Sequence, residues 1–142
     1  VAVMDWWSRY VLAWELSNSL DSEFCIRAWT SALAGGRTPL ISNTDQGSQF
    51  TSDAYLDAVE SVGVDVSMDG RGRWIDNRFI ERLWRSLKCE DSYLRDYADL
   101  VALERGVNHW LRDYNHHRIH QHLAYARPWE VYRPKKNLAH AA

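Results

Sequence analysis

The stretch Leu40-Ile41-Ser42-Asn43-Thr44-Asp45-Gln46-Gly47-Ser48-Gln49-Phe50 decides how this chain folds. Leu40-Ile41, set up by Pro39, reads as a short central strand, and Asp45 falls at its carboxyl end before turn-forming residues. Ligands of open α/β sheets collect at the carboxyl ends of strands, which makes Asp45 a candidate site residue. An Asp before Gln-Gly-Ser is equally an ordinary turn former that bonds its own backbone two residues on. Working outward, Asp21 can cap a helix over Ser22 to Ala34, with Phe24, Ile26, Ala28, Trp29 and Leu33 as its apolar stripe and Gly35-Gly36 as its end. Further upstream, Val1 to Trp7 reads as a strand, Ser8-Arg9 as a turn and Tyr10 to Leu16 as the hairpin partner. Downstream, Thr51 or Ser52 caps a helix carrying Tyr55, Leu56, Val59 and Val62, and Val64 to Val66 is a brief strand.

Ser67 to Trp74 contains Gly70 and Gly72 without apolar periodicity and reads as a mobile loop. A helix follows from Asp76, with Phe79, Ile80, Leu83, Trp84 and Leu87 on one side, and another from Asp99 to Tyr114. Asn115 to Ala142 reads as an arm or tail. A hairpin followed by alternating helices and strands makes an α/β fold with a mixed sheet.

Composition is that of an ordinary globule, 46% hydrophobic and 25% charged over 142 residues, enough for one domain with a core. No run is long enough to span a bilayer, and Cys25 and Cys89 have no metal-ligand spacing, so a reducing cytoplasm is the expected setting. A net charge of −2 excludes coating of nucleic acid by bulk attraction, but the charge is uneven. Residues 1–65 hold 9 acidic and 3 basic side chains, whereas residues 66–142 hold 10 and 14. That asymmetry points to one polyanion-facing surface.

Glu81 is separated from Asp45 by 35 residues and lies near the start of a strong helix. An intervening helix, strand and loop can fold back and bring the two carboxylates together, the oxygen donors that hard Mg²⁺ takes. Arg85 and Lys88 are in helical phase with Glu81, away from the apolar stripe, which suits a phosphate chain crossing the helix. A surface pair from Glu81 to Arg85 is the plain alternative. Five of the six histidines cluster between His109 and His122, and His116 and His120 have the spacing of a zinc pair. No Glu follows His116 as a zincin requires and no Cys lies near, which weighs against zinc. Trp84 and Trp110 sit on apolar faces as core, and Trp6-Trp7 are expected to point to opposite faces of a strand.

Four strings in register resemble one family: Asp5-Trp6-Trp7-Ser8-Arg9, Asn43 to Ser52, Ser67 to Arg73, and Asp76-Asn77…Glu81 to Lys88. Tyr114-Asn115…Arg118…His120…Leu123…Tyr125…Pro128 resembles its C-terminal motif. The family is the bacterial insertion-sequence transposases with a retroviral-integrase-like core, specifically the large IS-three family. The resemblance implies an RNase H-like fold and an Asp, Asp, Glu triad holding two Mg²⁺ or Mn²⁺ ions. It further implies DNA cleavage by water, then attack of a 3′ hydroxyl on another strand. Asp45 matches the second acid and Glu81 the third, and Arg82, Arg85, Lys88, Asn115, Arg118 and His120 are the expected DNA contacts. The first acid belongs on a strand before Val1, and Asp5 is not that residue, so the chain resembles a core without its first catalytic strand.

On these grounds residues 1–126 are expected to form the core with a C-terminal helix, and 127–142 a basic tail with Arg133, Lys135 and Lys136. The expected partners are transposon-end and target DNA, further copies of the chain, and a helix-turn-helix region upstream or as a separate product. The rival functions are an RNase H-like module that binds nucleic acid without catalysis, and a metal-dependent nuclease of the same fold.

Overall fold

The computed structural model describes residues 1–68 and 77–133, in chain order β1 (Ala2–Met4), β2 (Val11–Trp14), α1 (Glu23–Leu33), β3 (Ile41–Thr44), α2 (Asp53–Glu60), β4 (Asp65–Met68), α3 (Arg78–Leu87), α4 (Leu100–His116) and α5 (Pro128–Tyr132). A π-helical turn over Lys88–Ser92 continues α3, and a 3₁₀ turn over Gln121–Leu123 precedes α5. Most of the expected loop over Ser67 to Trp74, and residues 134–142 of the expected tail, lie outside the described residues. Residues 127–133 of that tail contain α5, which begins at Pro128, with the Arg127 N–H donating to Glu130 Oε2 at 2.9 Å.

Side-chain oxygens accept N–H groups at the starts of three helices, and at α2 and α4 they come from the N-cap residue itself. Asp21 Oδ1 accepts the Glu23 N–H, Ser52 Oγ accepts the Tyr55 N–H, and Asp99 Oδ1 accepts the Ala102 N–H. Gly36 and Gly63, with φ of 74° and 76°, take the left-handed conformation after α1 and α2. Strand β1 stops at Met4 rather than reaching Trp7. The cause is Asp5, whose Oδ2 accepts both the Ser8 N–H (2.8 Å) and the Ser8 hydroxyl (2.5 Å), closing a turn around a fully buried Ser8.

Among the described residues the strands form two pairs, one antiparallel and one parallel, the mixed arrangement expected. β1 and β2 are antiparallel, with Ala2 opposite Trp14, while β3 and β4 are parallel, with Ile41 opposite Asp65 and Thr44 opposite Met68. β1 and β3 each have one bonded neighbour, and between them lies a cavity of about 1000 Å³ lined by residues of both.

Two apolar clusters flank this arrangement. On one side Val11, Leu83, Leu87, Val107, Leu111 and Tyr114 pack α3 and α4 against β2, joined by Ala2 and Met4. On the other, Cys25, Trp29, Tyr55, Val59 and Val64 pack α1 and α2 together, joined by Val1 and Val3. Alternate residues of the first strand thus serve opposite layers, as the period of two requires.

Two buried polar groups hold the α4 side together. Asn115 accepts the Val11 N–H at 2.9 Å and donates to the Val11 carbonyl at 2.9 Å, so its amide acts as an added strand partner for β2. Asp91, 2% exposed, accepts the Tyr97 hydroxyl at 2.5 Å and pairs with Arg95 Nε at 2.8 Å, which fastens the π-helical turn. No helix among the described residues is long and apolar enough to cross a membrane.

Candidate active site and nucleic-acid interface

Asp45 follows directly on β3, exposed, at the carboxyl end of a parallel strand. Its Oδ1 accepts the Gly47 N–H at 2.8 Å, the turn bond the sequence allows. A Cβ on Gly47 would stand 2.8 Å from that same oxygen, so a larger residue there would displace the carboxylate from this position. The bond restrains the carboxylate through one oxygen, and Oδ2 makes no hydrogen bond to the described residues. Asp45 lines the cavity between β1 and β3, together with Asn77, Phe79 and Ile80 at the start of α3.

Glu81 is exposed on the next position of that first helical turn, its N–H bonded to the Asn77 carbonyl at 3.1 Å. The structure therefore brings Asp45 and the helix turn bearing Glu81 to one cavity, while Glu81 itself is not among the residues lining it. Hard carboxylate oxygens suit a divalent cation of the Mg²⁺ type in chemistry. In number they fall short: among the described residues no group of three His, Cys, Asp or Glu side chains is placed to share an ion.

Arg82, Arg85 and Lys88 are exposed along α3 and its C-cap, while Leu83 and Leu87 are buried on the opposite side. None of the three, nor Arg9 or Arg78, makes an ion pair with a carboxylate among the described residues. The plain alternative of a Glu81–Arg85 pair is therefore not formed.

The three C-terminal candidates are placed differently. Asn115 is buried and its amide is spent on Val11. Arg118 forms a two-pronged pair with Glu90, at 2.6 and 2.8 Å, whose other donor is Trp110 Nε1. That pairing with Arg118 holds the Glu90 carboxyl below its ordinary range and raises the guanidinium in turn. His120 packs edge-on to Tyr114 with ring centroids 5.0 Å apart, and its Nε2 is buried without a partner. Burial, then the positive charges of Arg118, Arg9 and Arg82, lowers its pKa. Burial likewise pushes Tyr114 up to about 12. His116 lies edge-on to Tyr10 and tilted against Trp129, while His120 meets Tyr114, and no metal-binding group of three side chains that includes either histidine occurs among the described residues.

The turn after β1 was not singled out as a site by its sequence. Trp6 and Trp7 are both exposed there, 47% and 81%, rather than lying on opposite faces of a strand. Trp6 meets Phe79 edge-on at 6.0 Å, and the Arg9 guanidinium lies 3.2 Å over the same ring. The adjacent pair of tryptophans was the available signal.

Solved structures share this fold. The catalytic core domain of HTLV-2 integrase, in complex with magnesium, superposes with a TM-score of 0.72 at 21% identity, covering 92% of this chain and 81% of that one. A simian T-cell lymphotropic virus intasome matches with a TM-score of 0.75 at 20% identity, over 96% of this chain and 48% of that one. The fold is thus that of the retroviral integrase catalytic cores, an RNase H-like α/β arrangement. Two sequence models, each described as an integrase core domain, match residues 1–73 and 62–128, and the chain belongs to the integrase core domain family.

Its curated relatives are bacterial insertion-sequence transposases. Transposase InsF for insertion sequence IS3A of Escherichia coli (strain K12) is 29% identical over 140 residues, 96% of this chain and 48% of that protein. The transposase for insertion sequence element IS904 of Lactococcus lactis is 30% identical over 131 residues, 88% of this chain and 51% of that protein. The chain spans about half the length of these relatives.

Proposed function

We propose that this chain is the catalytic core of a bacterial insertion-sequence transposase, with Asp45 and Glu81 as two of the three carboxylates of its DNA-cleaving and DNA-joining site. The observation that carries this is the position of Asp45, at the end of parallel strand β3 on the cavity that the first turn of α3 also lines. Asp45 and Glu81 would hold Mg²⁺ or Mn²⁺, which would supply stabilisation of developing negative charge in a phosphoryl transfer. The chain's own contribution is orientation: Gly47 restrains the Asp45 carboxylate, and the rigid amphipathic helix α3 fixes Glu81. Exposed Arg82, Arg85 and Lys88 hold DNA phosphates beside it.

The third carboxylate belongs on a strand entering the cavity between β1 and β3. Support comes from one edge of each strand and from Thr44 Oγ1, buried on the cavity, none of which has a hydrogen-bond partner among the described residues. Transposon-end and target DNA, further copies of the chain and a separate helix-turn-helix region are its proposed partners, and the bacterial cytoplasm its place of action.

A DNA-joining assay with Mn²⁺ tests the proposal. Residues 1–142 alone are expected to give no strand transfer, and addition of an upstream strand ending in Asp to restore it. Asp45→Asn and Glu81→Gln should each abolish the restored activity. Joining that survives both substitutions refutes the site. One observation favours a second reading, DNA binding without catalysis: the described residues form no three-carboxylate group. An extended chain that binds DNA but never cleaves or joins it would establish that reading.

A further inference from the structure

Trp7 is 81% exposed, an unusual place for the largest apolar side chain. The turn that presents it is rigidly built. Asp5 accepts two hydrogen bonds from Ser8, the Arg9 N–H bonds the Asp5 carbonyl at 2.8 Å, and the Asp5 N–H bonds the Tyr10 carbonyl at 2.9 Å. Arg9 takes the left-handed conformation, φ 63°, which a non-glycine residue adopts only at a cost in strain. From there its guanidinium reaches back to the Trp6 carbonyl and lies over Phe79, with Arg78 5.4 Å from the same ring. The result is an indole on a fixed tip, next in sequence to a Trp6–Phe79 pair over which two guanidinium groups lie. Neither Arg9 nor Arg78 has a carboxylate partner among the described residues.

Flat exposed rings interleaved with free cations are how proteins hold unpaired nucleic-acid strands, the bases stacking and the cations tracking phosphates. A protein partner reading the same surface needs carboxylates to meet the arginines. An apolar partner alone would leave both charges stranded at its edge. Trp6, Trp7 and Phe79 also line the cavity that Asp45 borders, so a strand held here is continuous with the proposed site. We propose that Trp7 is a stacking platform for one unpaired nucleobase, with Arg9 and Arg78 beside the flanking phosphates. The proposal rests on DNA as the substrate named above and adds to it a preference for frayed or single-stranded DNA.

The test compares the parent chain with Trp7→Ala and Trp7→Phe on two probes. One is a duplex with a short single-stranded end carrying 2-aminopurine, and the other is a flush duplex of the same length. The parent should bind the frayed probe more tightly and quench its 2-aminopurine. Trp7→Ala should lose the quenching and about tenfold in affinity for that probe alone, while Trp7→Phe keeps most of both. Since Trp7 is solvent-exposed, unchanged thermal unfolding is expected for both variants. Equal losses on the two probes, or none on either, overturn the stacking role while leaving DNA as the substrate class. A parent that binds neither probe overturns both. Sedimentation of the protein alone supplies the remaining outcome: an oligomer dissolved by Trp7→Ala would assign the indole to a contact between copies and overturn the proposal.

Discussion

Asn115→Ala separates the two roles open to this residue, a contact with DNA or a fastening of the fold. The side chain is 7% exposed and exchanges both of its polar ends with the backbone of Val11, itself 5% exposed and 104 residues away in sequence. Alanine removes two hydrogen bonds worth about 1 kcal/mol each and leaves a donor and an acceptor of β2 buried without partners, for a total of about 3 kcal/mol. For a chain of this length that corresponds to a fall of about 9 °C in Tm. Urea unfolding followed by far-UV circular dichroism reads the loss as a lower midpoint at unchanged slope.

Asn115→Asp sharpens the test. A carboxylate there accepts from the Val11 N–H but opposes the Val11 carbonyl without a proton to donate. A neutral carboxyl restores the donor. Burial and the facing carbonyl raise the folded-state pKa of the introduced acid above its unfolded value, so the folded state holds the proton more strongly. The stabilising term is then present at low pH and is lost as pH rises through the folded pKa. The deficit relative to the parent should therefore be full at neutral pH and shrink on acidification. A cost below about 1 kcal/mol for Asn115→Ala, or a pH-independent deficit for Asn115→Asp, refutes the clamp.

Two further outcomes concern α3 and the C-terminal turn. Lys88→Ala should weaken DNA binding on all sequences and reduce the slope of log affinity against log salt by about one, and an unchanged slope would mark Lys88 as a solvated charge only. His120, with its pKa depressed below the ordinary value near 6.5, binds fewer protons folded than unfolded in the interval between the two pKa values. The parent should lose stability as pH falls from about 6.5 through that interval, and His120→Phe should remove this component of the titration. Parallel pH profiles for the two chains would contradict it.

Features that depend on neighbours in sequence were legible. The apolar stripe of α3 put Leu83 and Leu87 inside and Arg82, Arg85 and Lys88 outside, and Asp45 makes the turn bond its Gln-Gly context permits. Asp5 to Arg9 illustrates the limit, because the apolar run resumes through Trp7 while the Asp5–Ser8 bonds end the strand at Met4. Asn115 shows the larger gap. Its position in a motif suggested a DNA contact, but its geometric partner lies 104 residues away, and no local pattern encodes that. The π-helical turn was equally hidden, since Asp91 is buried only through Tyr97 and Arg95. Short helix α5 did have a signal, Pro128 followed by Glu130 within a segment read as tail.

The division of the expected sheet into two pairs follows from the same distinction. Periodicity identifies strands, whereas their lateral order is set by contacts far apart in the chain. In the first strand Val1 and Val3 enter one apolar cluster, and Ala2 and Met4 pack against the other. β1 is thus half-buried with apolar contacts on both faces, yet among the described residues it is hydrogen-bonded along one edge only. β3 has the same one-sided pairing across the cavity, and its Ser42 and Thr44 are buried while Ile41 is 59% exposed. A half-buried edge leaves backbone donors and acceptors that a strand between β1 and β3 would pair. An incoming strand parallel to β3 would end beside Asp45, which is why the proposed third carboxylate is assigned to the end of that strand and not to Asp5, whose oxygen is already committed to Ser8.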